Sequence, residues 1–203
     1  MASTTTTTTL ISEKQETVVT PPPPPPPPPA SAYFASDAFF RVLLLAASIV
    51  AVVVMVTSKE TELVLVSRFP FPVPATAKWK YSPALIYFVA ALSTAGLYAI
   101  ISTFVSLSGV FFPAKSPKLF LVLALHDTIV LGIVASATGA AAGVAYIGYK
   151  GNSHVAWVKV CNVYDKYCRH VAGSLAVGLF ASFVLIILIF LNVTALYHRA
   201  PKL

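Results

Sequence analysis

Charged residues are scarce in this chain of 203 residues. Asp, Glu, Lys and Arg make up 10% of it, whereas soluble domains average about 25%. Hydrophobic residues make up 57%, and the mean hydropathy is +0.81. With 14 basic and 7 acidic side chains, the chain has too little charge to cover the surface of a soluble domain of this size. This excludes an ordinary cytosolic enzyme and a charge-rich disordered protein.

The chain also lacks a basic patch and known catalytic motifs, although its net charge is +7. Its basic residues are scattered, whereas nucleic-acid binding needs them gathered against phosphates. The sequence contains no GxSxG, HExxH, P-loop or GxGxxG motif and no cysteine-rich metal cluster. His126 and Asp127 are adjacent, and neighbours on a helix do not share a site. We therefore expect no catalysis, no cofactor, no metal and no nucleic-acid partner.

Long apolar segments are abundant instead. Four of them run at about 38–58, 83–107, 119–147 and 171–197, and each reaches the roughly 20 residues that a helix needs to cross a bilayer. None alternates with a period of two like a barrel strand. Because a backbone in lipid must satisfy its own hydrogen bonds, the prediction is an all-α membrane protein, with a four-transmembrane-helix bundle over residues 37–203. Buried helices of a soluble core fit less well, because such helices seldom lack a polar face.

Residues 1–36 have a different composition, with a threonine run and nine consecutive prolines from Pro21 to Pro29. Such a low-complexity segment cannot bury a core and is predicted to be a disordered tail. The prolines would form a polyproline II rod about 28 Å long. Two roles fit: a stiff spacer, or a docking site for an SH3, WW or profilin-like partner. We favour the spacer because no flanking basic residue fixes the orientation of a ligand.

Only two cysteines occur, Cys161 and Cys168, both in segment 148–170 between the third and fourth spans. A lone pair in one loop predicts a disulfide and thus an oxidising compartment. Zinc is the weaker alternative, because the spacing of His154 and His170 matches no zinc pattern. A disulfide places both long loops outside and both termini in the cytosol. The count of basic residues, eight in the loops 59–82 and 148–170 against six elsewhere, points weakly the other way. We give the cysteines more weight.

Two ionisable residues lie within predicted spans. Arg41 is about one helical turn into the first, and Asp127 lies deeper in the third. A charge near the bilayer centre costs at least about 2.5–3.5 kcal/mol and usually faces a partner inside the bundle. Both fall toward the same membrane side, so we predict an intramembrane ion pair between them. Two alternatives are that Arg41 extends to the headgroups, and that Asp127 is the ion or proton site of a small transporter or channel subunit.

Small residues at helical spacing indicate how the helices pack. The third span contains Gly139 and Gly143 in a GxxxG pattern, and the fourth contains Ser174 and Gly178 at a spacing of four. Such residues let backbones approach closely in lipid. We expect them to pack the bundle internally, with a homo-oligomer face as the alternative. Asn192 begins a glycosylation sequon, but it lies inside the fourth span and is expected to be unused.

The sequence resembles a known family at several places. The first span contains Phe40-Arg41-Val-Leu-Leu-Leu and ends in Met55-Val-Thr-Ser-Lys-Glu-Thr, and the third contains His126-Asp127. The loop before the fourth span reads Trp157-Val-Lys-Val-Cys-Asn-Val-Tyr164-Asp-Lys-Tyr-Cys. Over residues 37–203 this resembles the plant CASP-like (Casparian strip membrane domain protein-like) family, which is similar to the MARVEL four-span membrane proteins. Within the family it resembles the first subgroup.

The resemblance implies a multi-pass protein of the plasma membrane with cytosolic termini. It also implies homo-oligomers, hetero-oligomers with related members, and a non-enzymatic scaffold role at a membrane domain, including the cell-wall interface. Arg41 and Asp127 then correspond to the family's membrane charges, Cys161 and Cys168 to its second-loop cysteines, and Trp157 and Tyr164 to its extracellular loop signature. Segment 59–82 lacks the stretch that strip-building members carry there. This argues against a role in the Casparian strip itself.

Overall fold

The computed structural model describes residues 30–64, 71–111 and 117–199. Four long helices dominate these residues: α1 Ala30–Thr57, α2 Pro83–Phe111, α3 Pro117–Lys150 and α4 Asp165–Arg199. All four are long and apolar enough to cross a membrane. This confirms the predicted all-α fold of four transmembrane helices.

Local sequence explains where several helices begin and end. Pro83 opens α2, and proline is favoured at a first helical position because the missing N–H has no partner there anyway. The carbonyl of Ser82 accepts hydrogen bonds from amides of that first turn. Helix α3 ends at Lys150, and the next residue, Gly151, has a φ of 69°. Its amide donates to the carbonyl of Ile147 at 2.7 Å, which is the usual glycine stop of a helix.

The helices run up and down, so each end of the bundle gathers defined elements. Helix α1 packs against α2 and α4, and α3 packs against the same two helices. At one end, Phe34 of α1 meets Phe120 of α3, with ring centroids 5.4 Å apart, and both pack with Ala195 of α4. We name this the termini end. The opposite end, which carries the long connections after α1 and α3, is the loop end.

A two-stranded antiparallel sheet follows α1 at the loop end. Strand β1 covers Lys59–Val64 and β2 covers Val73–Lys78, with Lys59 opposite Lys78 and Val64 opposite Val73. The sequence did not predict this hairpin, because the segment lacks the apolar alternation that marks a strand with one buried face. Pro74 lies in β2, where a two-stranded sheet tolerates a missing donor.

Two predicted boundaries differ from the structure. Helix α1 begins at Ala30, inside the tail that was expected to be disordered through residue 36. The extra turns are held by packing, since Phe34 is only 2% exposed. Helix α4 begins at Asp165 and therefore contains Cys168, which was expected in the loop. The proline run from Pro21 to Pro29 lies outside the described residues.

The core and the outer surface of the bundle are both apolar. Buried side chains on α1 recur at Leu44, Ala47, Ala51 and Met55, the spacing of one helical face. Large apolar side chains also point outward on every helix, and Phe183 is 58% exposed. A surface of this kind suits hydrocarbon rather than water, so the outer face is the one that contacts lipid.

Candidate functional site

Arg41 is the centre of a polar cluster inside the bundle. Its side chain is fully buried on α1. One helical turn earlier, Asp37 accepts a hydrogen bond from Arg41 Nε at 2.7 Å. Across the bundle, Asp127 of α3 accepts from both terminal guanidinium nitrogens, at 3.3 and 3.2 Å. The structure thus brings Arg41 and Asp127 together, and it adds a second carboxylate that the sequence analysis did not consider.

Three neutral side chains complete the cluster. The hydroxyl of Tyr98 on α2 donates to Asp127 Oδ1 at 2.7 Å. The hydroxyl of Ser106, also on α2, donates to Asp37 Oδ2. Asn192 Nδ2 on α4 donates to Asp127 Oδ2 at 3.0 Å, and it lies 3.3 Å from Asp37 Oδ1. All four helices therefore contribute to one hydrogen-bonded network, which we call the four-helix cluster.

The carboxylates of the four-helix cluster are saturated with donors. Each of the four carboxylate oxygens accepts a hydrogen bond from Arg41 and also lies within 3.3 Å of a neutral donor. The two amide hydrogens of Asn192 are shared among Asp127 Oδ2, Asp37 Oδ1 and the carbonyl of Leu188. Asp127 is 0% exposed, Asp37 6% and Asn192 2%. Such complete pairing is what a buried ion pair needs, because an unpaired charge in a low dielectric is costly.

The charges of the cluster do not cancel. One guanidinium faces two carboxylates, so the ionised cluster carries one net negative charge. Neutral donors from Tyr98, Ser106 and Asn192 offset part of that excess, since hydrogen bonds to an ionised acceptor are the strong ones. The guanidinium is thus the only cationic partner that the described residues supply to either carboxylate.

His126 does not join the cluster. Its ring is exposed on the outside of α3, and its Nδ1 lies 2.8 Å from the carbonyl oxygen of Val122. It stacks on Tyr98 with centroids 6.4 Å apart. Among the described residues there is no group of three or more His, Cys, Asp or Glu side chains that could hold a metal ion.

The loop end carries the second group of predicted residues. Cys161 and Cys168 form a disulfide that ties the loop to the first turn of α4. Tyr164, between them, donates its hydroxyl to the carbonyl of Ala75 on β2 at 3.2 Å. Glu60 of β1 accepts from the amide of Tyr167 at 2.8 Å. The disulfide loop is thereby docked on the hairpin.

Trp157 closes a tight turn in the same loop. It exchanges backbone hydrogen bonds with Asn152 at 2.9 and 3.0 Å. Gly151 passes so close that an added Cβ would lie 2.8 Å from the Trp157 carbonyl oxygen. A side chain at residue 151 is therefore excluded by both contact and backbone conformation.

The small residues divide between the inside and the outside of the bundle. Ser174 donates its hydroxyl to the carbonyl of Ala51 on α1 at 2.6 Å. A Cβ on Gly178 would lie 2.7 Å from the ring of Phe88, so this glycine makes room for a core aromatic. Gly139 and Gly143 differ from the expectation of internal packing. A Cβ on either would meet nothing within 4 Å, because the inner face of α3 is formed by other residues.

Four residues of the four-helix cluster were missed from the sequence. Asp37 lies just before the predicted first span and was not considered, and Asn192 was considered only as a glycosylation sequon. Tyr98 and Ser106 are ordinary residues of an apolar helix. One signal could have found Asp37: it lies four residues before Arg41, the spacing at which a helical acid and base pair. For the others, only the rotation of each helix shows that they point inward.

Comparisons with known proteins find relatives over most of the chain. A family model described as the Casparian strip membrane protein domain matches residues 31–184. A CASP-like protein 1D1 of Populus trichocarpa is 55% identical over 148 residues, which cover 73% of this chain and 76% of the relative. A CASP-like protein Ni6 of Beta vulgaris subsp. maritima is 58% identical over 148 residues, 73% of this chain and 75% of the relative. A CASP-like protein 1 of Panax ginseng is 49% identical over 148 residues, 73% of this chain and 100% of the relative. No solved structure matches.

Proposed function

Since this chain belongs to the Casparian strip membrane domain protein family, we propose that it is a non-enzymatic scaffold of the plasma membrane. It associates with copies of itself and with related members, and it organises a membrane domain at the cell-wall interface. The four-helix cluster holds its bundle together, and the disulfide loop and hairpin form its external face.

The saturation of the four-helix cluster is the observation that supports a scaffold over a transporter. An ion or proton site has to exchange its occupant with water along a polar path. Here the oxygens of Asp127 are occupied by Arg41, Tyr98 and Asn192, and the carboxylate is fully buried. The neighbouring ionisable group, His126, faces outward. An arrangement of this kind stabilises four helices and leaves no acceptor for a transported cation.

Two outward features support self-association. Gly139 and Gly143 present an open backbone face of α3 on which another helix can pack closely. On the other side of the bundle, Ser48 is buried at the base of a shallow groove between α1 and α2. Its hydroxyl has no hydrogen-bond partner among the described residues. The groove around it is apolar, and a helix of a second copy can pack there.

The disulfide supports the orientation. The Cys161–Cys168 bond is stable in an oxidising compartment and not in the cytosol. The loop end then faces the cell exterior and both termini face the cytosol. A membrane-impermeant protease applied to intact cells should cleave the loop end and spare a terminal tag.

Live imaging of a tagged full-length chain tests the scaffold directly. We expect confined patches that recover slowly after photobleaching. The variant Gly139→Leu with Gly143→Leu should recover faster, because added side chains prevent close helix contact while meeting nothing within the bundle. The matched control is Ala140→Leu on the same helix, an exposed position that is turned away from the face of Gly139 and Gly143. Rapid, uniform diffusion of the unchanged protein would contradict the proposal.

The transporter alternative has its own test. Asp127→Asn keeps the side-chain shape and removes the charge. If this variant still assembles but abolishes a measured ion flux, the protein is a transporter or channel subunit and the scaffold proposal is wrong. If it lowers folding yield without any flux to lose, Asp127 has the structural role described above.

A further inference from the structure

A large cavity lies at the loop end of the bundle. Its volume is about 900 Å³, and its walls are the start of α2, the end of α3 and the start of α4, with segment 156–161 and the disulfide above it. We call it the loop-end cavity. Ligand pockets span about 300–1,000 Å³, so this one is large enough for a drug-sized or lipid-sized molecule. The four-helix cluster lies toward the opposite end and does not contribute to it.

The lining of the loop-end cavity is almost wholly apolar. Leu85, Val160, Val171 and Leu175 contribute aliphatic walls. No Asp or Glu lines it among the residues that the structure describes. Walls of this kind offer few hydrogen-bond partners to ordered water. The lining therefore favours a hydrocarbon chain as its occupant.

Aromatic side chains form the rim. Tyr81 is 70% exposed, Tyr146 64% and Trp157 55%, and all three line the cavity. Tyrosine and tryptophan concentrate at the depth of the lipid headgroups, where one end of the ring is apolar and the other wet. The rim thus places the opening at the membrane surface, with the apolar walls beside the acyl chains of that leaflet.

Two lysines of the hairpin, one of them in the cavity lining, point to an anionic group at the mouth. Lys78 lines the cavity and lies directly opposite Lys59 in the hairpin. Like charges at opposed positions destabilise a strand pair. Neither lysine forms an ion pair with the acidic residues of the described chain. An anion between them would offset the repulsion, and the ring of Tyr81 already lies 6.0 Å from Lys78 Nζ.

We propose that the loop-end cavity binds one phospholipid of the adjoining leaflet. An acyl chain lies against the apolar walls, and the phosphate lies at Lys78 and Lys59. This site does not depend on the scaffold role or on the orientation of the termini, because it uses only residues of the loop end. The lipid also fills the space beneath the disulfide loop and so supports the surface of the protein at that end.

Photolabelling of the full chain in lipid nanodiscs tests the site. The probe is phosphatidylglycerol with a diazirine in one acyl chain, and labelled peptides are mapped by mass spectrometry. We expect label to concentrate on residues 142–149 and 156–160. Even labelling around all four helices would mean that lipid only surrounds the protein, and would overturn the proposal.

A cavity-filling variant provides the matched comparison. Gly148 lines the cavity, and a Cβ there would meet nothing within 4 Å. Gly148→Leu therefore places a branched side chain in the cavity and narrows it, while keeping the backbone carbonyl that accepts from the amides of Val160 and Cys161. It should reduce cavity labelling several-fold. Gly132→Leu on the same helix lies outside the lining and should label as the unchanged protein does. Equal labelling of the two variants would refute the site.

The headgroup contact is tested separately. A basic residue near an anionic lipid surface contributes about 1 kcal/mol, or roughly a fivefold change in binding per lysine. Lys78→Gln and Lys59→Gln should each lower phosphatidylglycerol labelling by that factor, and neither should change labelling by a diacylglycerol with the same diazirine chain. Lys166→Gln, at the same end but on α4 rather than on the hairpin, is the control. If the lysine variants label normally with phosphatidylglycerol, the phosphate contact is wrong.

Discussion

The four-helix cluster contains one positive and two negative side chains, so removing the positive one should affect stability differently from removing a negative one. Arg41 faces both Asp37 and Asp127, whereas each carboxylate shares its one cation with the other. Removing the cation leaves two buried negative charges with neutral donors only. Removing one carboxylate leaves a matched pair. The two substitutions should therefore differ strongly, although each deletes a single charge.

The magnitudes follow from the contacts. Arg41→Gln strands two carboxylates in the bundle, and breaking a buried pair in this way costs about 3–5 kcal/mol. Asp127→Asn keeps one oxygen, which still accepts from Arg41 and Tyr98, and puts an amide nitrogen in the place of Oδ2. Arg41 Nη2 then loses this acceptor but keeps Asp37 Oδ1, and the amide of Asn192 turns over to accept from the new nitrogen. Because a hydrogen bond to a charged group contributes about 1.5–3 kcal/mol, losing the one from Arg41 Nη2 to Asp127 costs about 2 kcal/mol. The expected difference of about 2 kcal/mol is a factor of roughly 30 in the unfolding equilibrium constant.

A second substitution, Asp37→Asn, should change the stability in opposite directions in the unchanged protein and in the Arg41→Gln variant. In the Arg41→Gln background, Asp37→Asn removes one of the two stranded charges and should restore part of the lost stability. In the unchanged protein, the same Asp37→Asn removes a partner of Arg41 and should lower stability. A reversal of sign between the two backgrounds is the signature of an excess of negative charge in the cluster.

The assay is unfolding of the purified full chain in detergent micelles by added SDS, followed by circular dichroism. Arg169→Gln is the control, because it removes an arginine from an exposed pair with Asp165, where both side chains are more than half exposed. It should unfold like the unchanged protein. Equal losses for Arg41→Gln and Asp127→Asn, or destabilisation by Asp37→Asn in both backgrounds, would refute the charge reasoning.

Three further outcomes are expected. Asn192→Leu removes the donor shared by both carboxylates and should cost about 1–3 kcal/mol in the same unfolding assay; a loss near zero would mean that the amide is not part of the cluster. Gly178→Leu should reduce folding yield sharply, because its Cβ would overlap a core ring, whereas Gly139→Leu should fold normally; equal yields would contradict the packing. Cys161→Ser with Cys168→Ser should lower the free energy of unfolding by about 2 kcal/mol, the loop-closure contribution of so short a loop. A reducing agent should lower the free energy of unfolding of the unchanged protein but not that of this double variant.

Much of the fold could be predicted from composition and length. Four apolar segments of sufficient length require four helices in lipid, because no other backbone satisfies its hydrogen bonds there. The positions of the ends were less predictable. Helix α1 extends back to Ala30 because Phe34 finds a partner in Phe120 of α3. The hairpin was missed because its strands are short and polar, and they pair with each other rather than cover a core.

The sequence alone was enough to single out Arg41 and Asp127, because a charge in an apolar segment is conspicuous wherever the helix points. It also singled out the cysteines, since there were only two. Only the tertiary structure showed that Asp37, Tyr98, Ser106 and Asn192 surround that arginine, and that Gly139 faces outward while Gly178 faces inward. The physical reason is that lipid and core are both apolar. In a soluble protein, polar residues mark the outer face of a helix. In this bundle hydrophobicity is similar on every face, so the rotation of each helix is decided by packing and hydrogen bonds between helices.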